Sequence, residues 1–251
     1  MVVSSDGAAV VWHDLECGAY RADLPLWRRL ARDAGGETHA RVLDIGAGTG
    51  RVSLDLARAG HDVTALDRDE GLLAALRERS EGLPVRAIHA DARDFSLAGE
   101  RYDLCLVPMQ TLQLLRGARE RGALFTRARE HLRSDGVLAC AIVTEVDDFD
   151  GGEGHGLDLA PERAEIDGTL YLSLPVSVAR RERSFRIERQ RTVVPPGPDG
   201  PHTERDVVEL EALGAHGLWE ELRAAGLAPL PSRQIPETDQ HSGSLVVMAR
   251  A

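Results

Sequence analysis

Short apolar runs alternate with longer amphipathic segments through the first 143 residues of the chain. The runs are rich in Val, Ile, Leu and Ala, which is typical of strands buried on both faces of a parallel sheet. The segments between them repeat apolar residues every three or four positions, as one face of a helix does. The runs are Arg41–Ile45, Asp62–Asp67, 84–90, 102–108 and 137–143. This β-α alternation predicts an α/β fold with a parallel sheet.

The pattern changes after residue 144. Residues 145–167 are acidic and glycine-rich, and we expect them to form a solvated loop. The segments 169–178, 184–194 and 206–213 alternate apolar and polar residues, which predicts antiparallel strands, and a helix and two strands close the chain at 218–225, 227–235 and 244–249. We therefore expect an N-terminal helical cap (1–36), an α/β core (37–144), an antiparallel insert (145–213), and a helix and strands that complete the core (214–251).

A glycine-rich turn follows the first strand. Gly46, Gly48 and Gly50 lie at alternate positions, and a helical pattern begins directly after them. A strand, a glycine turn and a helix form a ligand-binding geometry, and glycine lets the backbone approach the ligand without a Cβ in the way. The third glycine comes one residue too early for the dinucleotide fingerprint, where Arg51 stands instead. Asp44, two residues before the turn, would repel phosphates, so the turn favours a ligand that carries an ammonium group.

Two further acids follow predicted strands. Asp67 ends the second strand, 17 residues after Gly50, which is close to the ~20 expected for a ribose-binding carboxylate. It could instead be an N-cap, since a helix is predicted from Asp69 onwards. Asp91 follows the third strand and could instead be a turn or cap residue. In an open parallel sheet these acids share one edge with Asp44.

The segment Leu43-Asp44-Ile45-Gly46-Ala47-Gly48-Thr49-Gly50 resembles the first motif of the class I S-adenosylmethionine (SAM)-dependent methyltransferases. The resemblance implies a doubly wound, seven-stranded, mostly parallel sheet whose last strand is antiparallel to the other six. It also implies SAM as cofactor, with Asp67 on the ribose and Asp91 on the adenine amino group. The implied cofactor-binding residues are Asp44, Gly46, Ala47, Gly48, Gly50, Asp67, Arg68, Asp91, Ala92 and Val107.

The acceptor side is less defined. The fourth strand leads into Val107-Pro108-Met109-Gln110, which does not match the Asn/Asp-Pro-Pro-aromatic box of the amino-methylating DNA, RNA and protein-glutamine enzymes. In small-molecule methyltransferases, which the chain resembles, an N-terminal segment closes over the cofactor, and a Tyr there often lines the pocket. That segment contains a helix with Asp23 as its expected N-cap. The acceptor-side candidates are Tyr20, Gln110, Gln113 and His155, and no catalytic residue is assigned.

Tyr20 could equally be a packing residue. The insert could be a lid or a dimer-forming element. Its middle strand is rich in Arg, which indicates either a solvated face or a surface for an anionic acceptor or partner.

Composition narrows the function. The chain has 251 residues and a net charge of −11, which argues against a nucleic-acid partner. No apolar run approaches the ~20 residues of a membrane span, so we expect no membrane and a cytoplasmic location. The three cysteines show no metal-binding spacing, so we expect no metal, and Cys105 and Cys140 should be buried thiols.

The sequence thus favours a SAM-dependent methyltransferase that modifies an N or O atom of a small molecule, with a homodimer possible. The alternatives are an RNA methyltransferase, a catalytically inactive methyltransferase-like binding or scaffold protein, and a nicotinamide oxidoreductase.

Overall fold

The structure is a computed structural model that describes residues 5–36, 39–146, 148–150, 160–238 and 241–251. The chain divides into two compact units. The α/β unit comprises Tyr20–Thr144 and Leu213–Ala251, and the insert unit comprises Met1–Ala19 and Glu145–Ala212. The N-terminal segment, expected as one cap over 1–36, is therefore divided between the two units at Tyr20.

The strands, in chain order, are β1 (Arg41–Ile45), β2 (Asp62–Asp67), β3 (Val85–His89), β4 (Tyr102–Val107), β5 (Leu132–Ile142), β6 (Phe149–Asp150), β7 (Glu162–Ile166), β8 (Thr169–Arg180), β9 (Ser184–Val194), β10 (His202–Glu211), β11 (Ala228–Ile235) and β12 (Ser244–Arg250). The helices are α1 (Ser5–His13), a π-helix (Asp14–Gly18), α2 (Leu24–Gly35), α3 (Arg51–Arg58), α4 (Glu70–Arg79), a 3₁₀-helix (Thr111–Leu114), α5 (Gly117–His131) and α6 (Ala215–Ala224).

The α/β unit contains a seven-stranded sheet with the order β11-β12-β5-β4-β1-β2-β3. β1 to β5 pair in parallel, whereas β12 is antiparallel to both of its neighbours. The fold class is confirmed, including the antiparallel last strand. The order reverses between β1 and β4, which makes the carboxyl ends of these two strands the switch point where such sheets bind ligands.

Helices cover both faces of this sheet. Successive residues of a strand point to opposite faces, so neighbouring residues of one strand pack against different helices. Leu43 packs in a core with Phe125 of α5 and Leu218 of α6. The preceding residue, Val42, packs in a second core with Trp27 of α2. Each face of the sheet therefore has its own apolar core.

One boundary prediction was wrong. β5 begins at Leu132, not at 137. Its pairing with β4 shifts register near this start, and Asp135 adopts a positive φ of 68°. A strand with an irregular start shows no apolar alternation in that stretch, so the sequence pattern placed the start of the strand too late.

The insert unit contains an antiparallel sheet in the order β10-β9-β8-β6, and β7 also pairs with β8. The three predicted strands are present, but the third spans His202–Glu211 instead of 206–213. The strand β7, however, lies within the segment expected to be a loop; its residues Glu, Arg and Ala have low strand propensity, which hid it. Asp147 and the stretch 151–159, which includes the candidate His155, lie outside the described residues.

An ion pair and a hydrogen bond hold the π-helix of the insert unit against its antiparallel sheet. Glu16, in the π-helix, accepts two hydrogen bonds of 2.8 Å from the Arg191 guanidinium and one of 2.8 Å from the Ser173 hydroxyl. The Arg191 guanidinium also lies over the ring of Trp12. All three Arg residues of β9 form ion pairs within this unit: Arg189 with Glu162, Arg191 with Asp206, and Arg186 with Glu188. These pairs favour the structural interpretation of the Arg-rich strand.

No helix of the described ranges is both long and apolar enough to cross a membrane.

Candidate functional site

Three acidic residues lie at the carboxyl edge of the parallel strands. Asp44 is the penultimate residue of β1, Asp67 is the last residue of β2, and Asp91 follows β3. These three strands are neighbours in the order β1-β2-β3. The sheet therefore brings the three acids to one edge, as the sequence predicted.

Side chains of the protein itself pack against the glycine turn. Gly46 and Gly50 have positive φ values of 76° and 92°. A Cβ on Gly46 would lie 2.4 Å from Thr111 Cγ2, and a Cβ on Gly50 would lie 2.1 Å from Leu76 Cδ1. We expected glycine here to let a ligand approach. At these two positions the structure corrects that reason: the neighbours that exclude a side chain are residues of the 3₁₀-helix and of α4.

Asp67 links the glycine turn to the start of α4. Its Oδ2 accepts a hydrogen bond of 2.8 Å from the Gly48 amide, and its Oδ1 accepts one of 2.9 Å from the Asp69 amide. The N-cap of α4 is Asp69, whose side chain accepts from the Leu72 amide at 3.1 Å. The alternative role of Asp67 as the cap is therefore wrong. Each carboxylate oxygen has a further lone pair with which it can accept a ribose hydroxyl.

Asp44 is a buried carboxylate that is only half satisfied. Its side chain is 1% exposed, and Oδ2 accepts a hydrogen bond of 2.6 Å from the Ser53 hydroxyl. Oδ1 is buried and has no hydrogen-bond partner among the described residues. Burial raises the pKa of Asp44 to about 6, with the carboxylates of Asp67 and Asp23 adding to the rise, while Ser53 and the Arg51 guanidinium oppose it. An acceptor left unpaired in this way fits an incoming ammonium group.

Asp91 is held by its own neighbour. The Arg93 side chain donates to both carboxylate oxygens, at 2.9 and 2.6 Å, and the Arg93 amide donates at 2.8 Å. These bonds lower the pKa of Asp91 to about 2, so it is ionised at neutral pH. Arg93 continues to Glu120 of α5 at 2.7 Å. The carboxylate is thus fixed in orientation, and its role toward adenine stays a prediction.

Arg51, which entered the sequence argument only as a departure from the dinucleotide pattern, forms a buried ion pair. Its guanidinium donates to both oxygens of Asp23, at 2.6 and 2.7 Å, and to the Tyr20 carbonyl at 3.0 Å. Asp23 also accepts from Trp27 Nε1 at 2.8 Å. Asp23 occupies the N-cap position of α2, but its side chain makes no capping bond. The expected cap function is therefore wrong, because the carboxylate is engaged by Arg51 and Trp27.

The candidate Tyr20 is 5% exposed. Its ring lies 4.7 Å from the His241 ring and 5.3 Å from the Arg51 guanidinium carbon. Burial, and the nearby Asp23 carboxylate, raise the pKa of the Tyr20 hydroxyl, while Arg51 and Ser244 oppose the rise. This environment favours the packing interpretation of Tyr20.

Gln113 is also buried, at 1% exposed. Its amide donates to the Val143 carbonyl at 3.0 Å and accepts from the Val143 amide at 2.7 Å, which favours a structural role. Gln110 is half-buried just before the 3₁₀-helix and keeps its status as an acceptor-side candidate.

The other predicted cofactor residues sit on the same edge. The Val107 side chain is fully buried in the core at the end of β4. Ala92 packs against that core, and the Arg68 carbonyl lies 3.0 Å from His89 Nε2.

A cavity of about 450 Å³ lies elsewhere, at the amino ends of the parallel strands. It is lined by residues such as Leu104 at the start of β4, Val137 in the first half of β5, and Leu30 of α2. None of the predicted cofactor residues lines it. Its position opposite the three acids makes it a poor candidate for the site, because ligands of these sheets bind at the carboxyl edge.

Comparison with known proteins agrees with this topology. Residues 42–136 match a family described as "Methyltransferase domain". The matched region runs from β1 into β5 of the α/β unit.

Two curated relatives match part of the chain. The ubiquinone biosynthesis O-methyltransferase of Cereibacter sphaeroides is 32% identical over 103 residues, which cover 40% of this chain and 40% of that protein. The ribosomal RNA small subunit methyltransferase A of Deinococcus radiodurans is 41% identical over 76 residues, 30% of this chain and 26% of that protein. The chain thus spans less than half the length of these relatives.

A solved structure resembles the chain over nearly its whole length. CalS10 of Micromonospora echinaspora, described as a SAM-bound amino pentose methyltransferase involved in calicheamicin biosynthesis, gives a TM-score of 0.69 and covers 96% of this chain and 97% of CalS10. At 22% identity this similarity establishes the fold.

Sequence reasoning missed two residues of the α/β unit that contact the predicted site. Ser53, which holds Asp44, stands between Val52 and Leu54 in the apolar stripe of α3, and a hydroxyl at a buried position was the available signal. Thr111, which closes on Gly46, had no such signal, because the pattern after β4 did not show which side chain meets the turn.

Proposed function

We propose that this chain is a SAM-dependent methyltransferase that transfers a methyl group to an N or O atom of a small molecule. The observation that carries the proposal is the half-satisfied carboxylate of Asp44 at the carboxyl edge of a methyltransferase domain. SAM has an ammonium group that can donate to the unpartnered oxygen. A pyrophosphate, the alternative ligand of such turns, would be repelled by the same carboxylate.

The residues present fit SAM. Asp44 accepts the ammonium of the amino-acid tail, and Asp67 accepts the ribose hydroxyls with the lone pairs that Gly48 and Asp69 leave available. Asp91, fixed by Arg93, accepts from the adenine amino group. Losing one charge-assisted bond of this kind costs about 1.5–3 kcal/mol of binding.

Bound SAM supplies a methyl group on a sulfonium, which already contains a good leaving group. The contribution of the chain is to hold the acceptor in line and to exclude water, and positioning of this kind can be worth about 7–11 kcal/mol. A general base is needed only for an acceptor that is protonated at the working pH. We assign no such base. Gln110 stays an acceptor-side candidate, because the contacts described above give its amide no structural role.

Several observations support a small acceptor. The net charge of −11 opposes binding to a polyanion, and the box of the amino-methylating nucleic-acid enzymes is missing after β4. By their descriptions, the Cereibacter relative is an O-methyltransferase of ubiquinone biosynthesis, and CalS10 is an amino pentose methyltransferase. A ribosomal RNA acceptor is the second candidate, favoured by the match to the Deinococcus enzyme.

The insert unit is proposed to contribute to acceptor binding, as a lid, or to form a dimer. A lid would affect turnover more than cofactor affinity, because it excludes water and fixes the acceptor. A dimer element would change the mass in solution. Both roles can hold together.

The test is methyl transfer from SAM labelled in its methyl group. The acceptor panel contains amino sugars, phenols, small amines and a fragment of small-subunit ribosomal RNA. Asp67→Ala, assayed at a SAM concentration that does not saturate it, is the control with weakened cofactor binding. Label on a small amine or hydroxyl compound supports the proposal. Label on the RNA alone supports the second candidate, and no transfer together with no SAM binding would refute both.

A further inference from the structure

The Arg51–Asp23 ion pair lies beside the site without being one of its predicted ligands. The Arg51 side chain is 7% exposed and that of Asp23 is 1% exposed. The pair joins the first residue of α3, directly after the glycine turn, to the residue preceding α2. An ion pair buried this deeply is costly to desolvate and is weak evidence for stability by itself. Its position suggests a different use.

Both members of the pair act electrostatically on Asp44. Ser53, two residues after Arg51 on α3, donates to Asp44 Oδ2 at 2.6 Å, so the first turn of α3 lies against this carboxylate. The groups that act on the charge of Asp44 are the Ser53 hydroxyl, the Arg51 guanidinium, and the carboxylates of Asp67 and Asp23. Among them Arg51 is the one cation, and it opposes the effect of burial, whereas Asp23 and Asp67 reinforce it. Asp23 also neutralises Arg51 through the two bonds at 2.6 and 2.7 Å. Asp23 therefore raises the pKa of Asp44 both directly, by its own charge, and indirectly, by weakening the effect of Arg51.

We propose that Arg51 and Asp23 are positioning residues that set the charge state of Asp44, and thereby the affinity of the site for an ammonium-bearing cofactor. The proposal rests on the function proposed above. Arg51 favours the carboxylate form of Asp44, which is the form that accepts from an ammonium group. Asp23 holds Arg51 in place and limits how strongly its charge reaches Asp44.

The two halves of the pair therefore predict opposite effects. Removing the Arg51 charge leaves Asp44 among carboxylates only, so its pKa rises and the ammonium-binding form is lost at a higher pH. Removing the Asp23 charge takes an anion away and leaves the Arg51 charge uncompensated, so the pKa of Asp44 falls. A merely structural ion pair would give the same loss for both substitutions.

The chain offers a matched control for this pair. Arg28 of α2 and Asp55 of α3 also form an ion pair, with a bond of 2.7 Å from Arg28 Nε. It links the same two helices, but the Arg28 side chain is 49% exposed, and neither residue is among the groups that act on Asp44. The variant Arg28→Gln removes a link between α2 and α3 without changing the charge around Asp44.

The experiment measures the dissociation constant of S-adenosylhomocysteine by isothermal titration between pH 5 and 8.5. Wild type should bind more weakly as pH falls through about 6, where Asp44 becomes protonated. Arg51→Gln should move this midpoint up, and a shift of about one pH unit gives about tenfold weaker binding below both midpoints. Asp23→Asn should move it down, and Arg28→Gln should leave it in place.

Two further variants keep the test decisive. Arg51→Gln leaves the buried Asp23 carboxylate without a cation, which is costly for folding, so the double variant Arg51→Gln/Asp23→Asn removes both charges together. Its midpoint should lie between those of the two single variants. The His241 ring lies 4.7 Å from the Tyr20 ring, and His241→Gln should keep the wild-type midpoint because the inference assigns the midpoint to Asp44.

Midpoints that move apart for Arg51→Gln and Asp23→Asn support the inference. Midpoints that move together, or that stay at the wild-type value while wild type binds S-adenosylhomocysteine, overturn it and leave the proposed function standing. If wild type binds no S-adenosylhomocysteine at any pH, the proposed function itself fails.

Discussion

Replacing Gly50 by Ala tests how the glycine turn is built. Gly50 has φ of 92°, and its added Cβ would lie 2.1 Å from Cδ1 of Leu76, a side chain with no exposed area. A left-handed conformation costs an L-residue about 1–2 kcal/mol. Overpacking a closed core adds about 1–3 kcal/mol, so Gly50→Ala should lose about 2–5 kcal/mol of stability in total.

Gly82→Ala is the matched control. Gly82 has a similar φ of 77°, but a Cβ there would meet nothing within 4 Å. Both variants carry a cost for the left-handed backbone and the same reduction in the entropy of the unfolded chain. The difference between their losses of stability, about 1–3 kcal/mol, therefore isolates the contact with Leu76.

The assay is urea unfolding read by the fluorescence of Trp27 and Trp219 in a Trp12→Phe background, so that the signal reports the α/β unit. The double variant Gly50→Ala/Leu76→Ala should be less destabilised than the sum of its single variants, because the smaller side chain makes room for the new Cβ. Equal losses for Gly50→Ala and Gly82→Ala would refute the packing explanation. Glycine at position 50 would then be required by backbone conformation alone.

The remaining predictions concern five side chains. Asp67→Ala should weaken S-adenosylhomocysteine binding by about 1.5–3 kcal/mol in an isothermal titration, and unchanged binding would remove Asp67 from the site. Asp44 has a folded-state pKa of about 6, above the ~3.9 of an unfolded Asp, so its ionisation destabilises the fold as pH rises from about 4 to 6. The free energy of unfolding of Asp44→Asn in urea should therefore rise relative to that of wild type over that range, by up to about 3 kcal/mol. A difference that does not vary with pH would contradict this prediction. Gln113→Ala should lose about 1–3 kcal/mol of stability because it leaves buried backbone groups unpaired, whereas Gln110→Ala should stay within about 0.5 kcal/mol, and similar losses for both would argue against the structural role of Gln113. Glu16→Gln should speed limited proteolysis of the insert unit by weakening its three accepted bonds, and an unchanged cleavage rate would show that they contribute little.

The sheet and the acid positions could be predicted from the sequence because the buried parallel strands are continuous apolar runs. Once Arg41–Ile45 and Asp62–Asp67 are recognised as neighbouring strands, the places of Asp44 and Asp67 at one edge follow from topology. The family resemblance of the glycine turn added the ligand. Neither step needed a side-chain contact.

The contacts that decide roles could not be predicted, because they join residues far apart in the chain. Nothing local pairs Arg51 with Asp23, 28 residues earlier, or sends the Gln113 amide to the backbone of Val143. The same holds for the reason behind Gly50, which depends on Leu76 of the next helix. Sequence spacing indicated which residues are unusual, and packing shows what each of them does.

The most direct test of the central claim is a calorimetric competition between S-adenosylhomocysteine and NAD for the wild-type chain at pH 7.5. We expect S-adenosylhomocysteine to bind once per chain with a dissociation constant in the micromolar range, about −8 kcal/mol. We expect NAD to give no heat and no displacement, because Asp44 opposes a pyrophosphate. Binding of NAD without binding of S-adenosylhomocysteine would contradict the account.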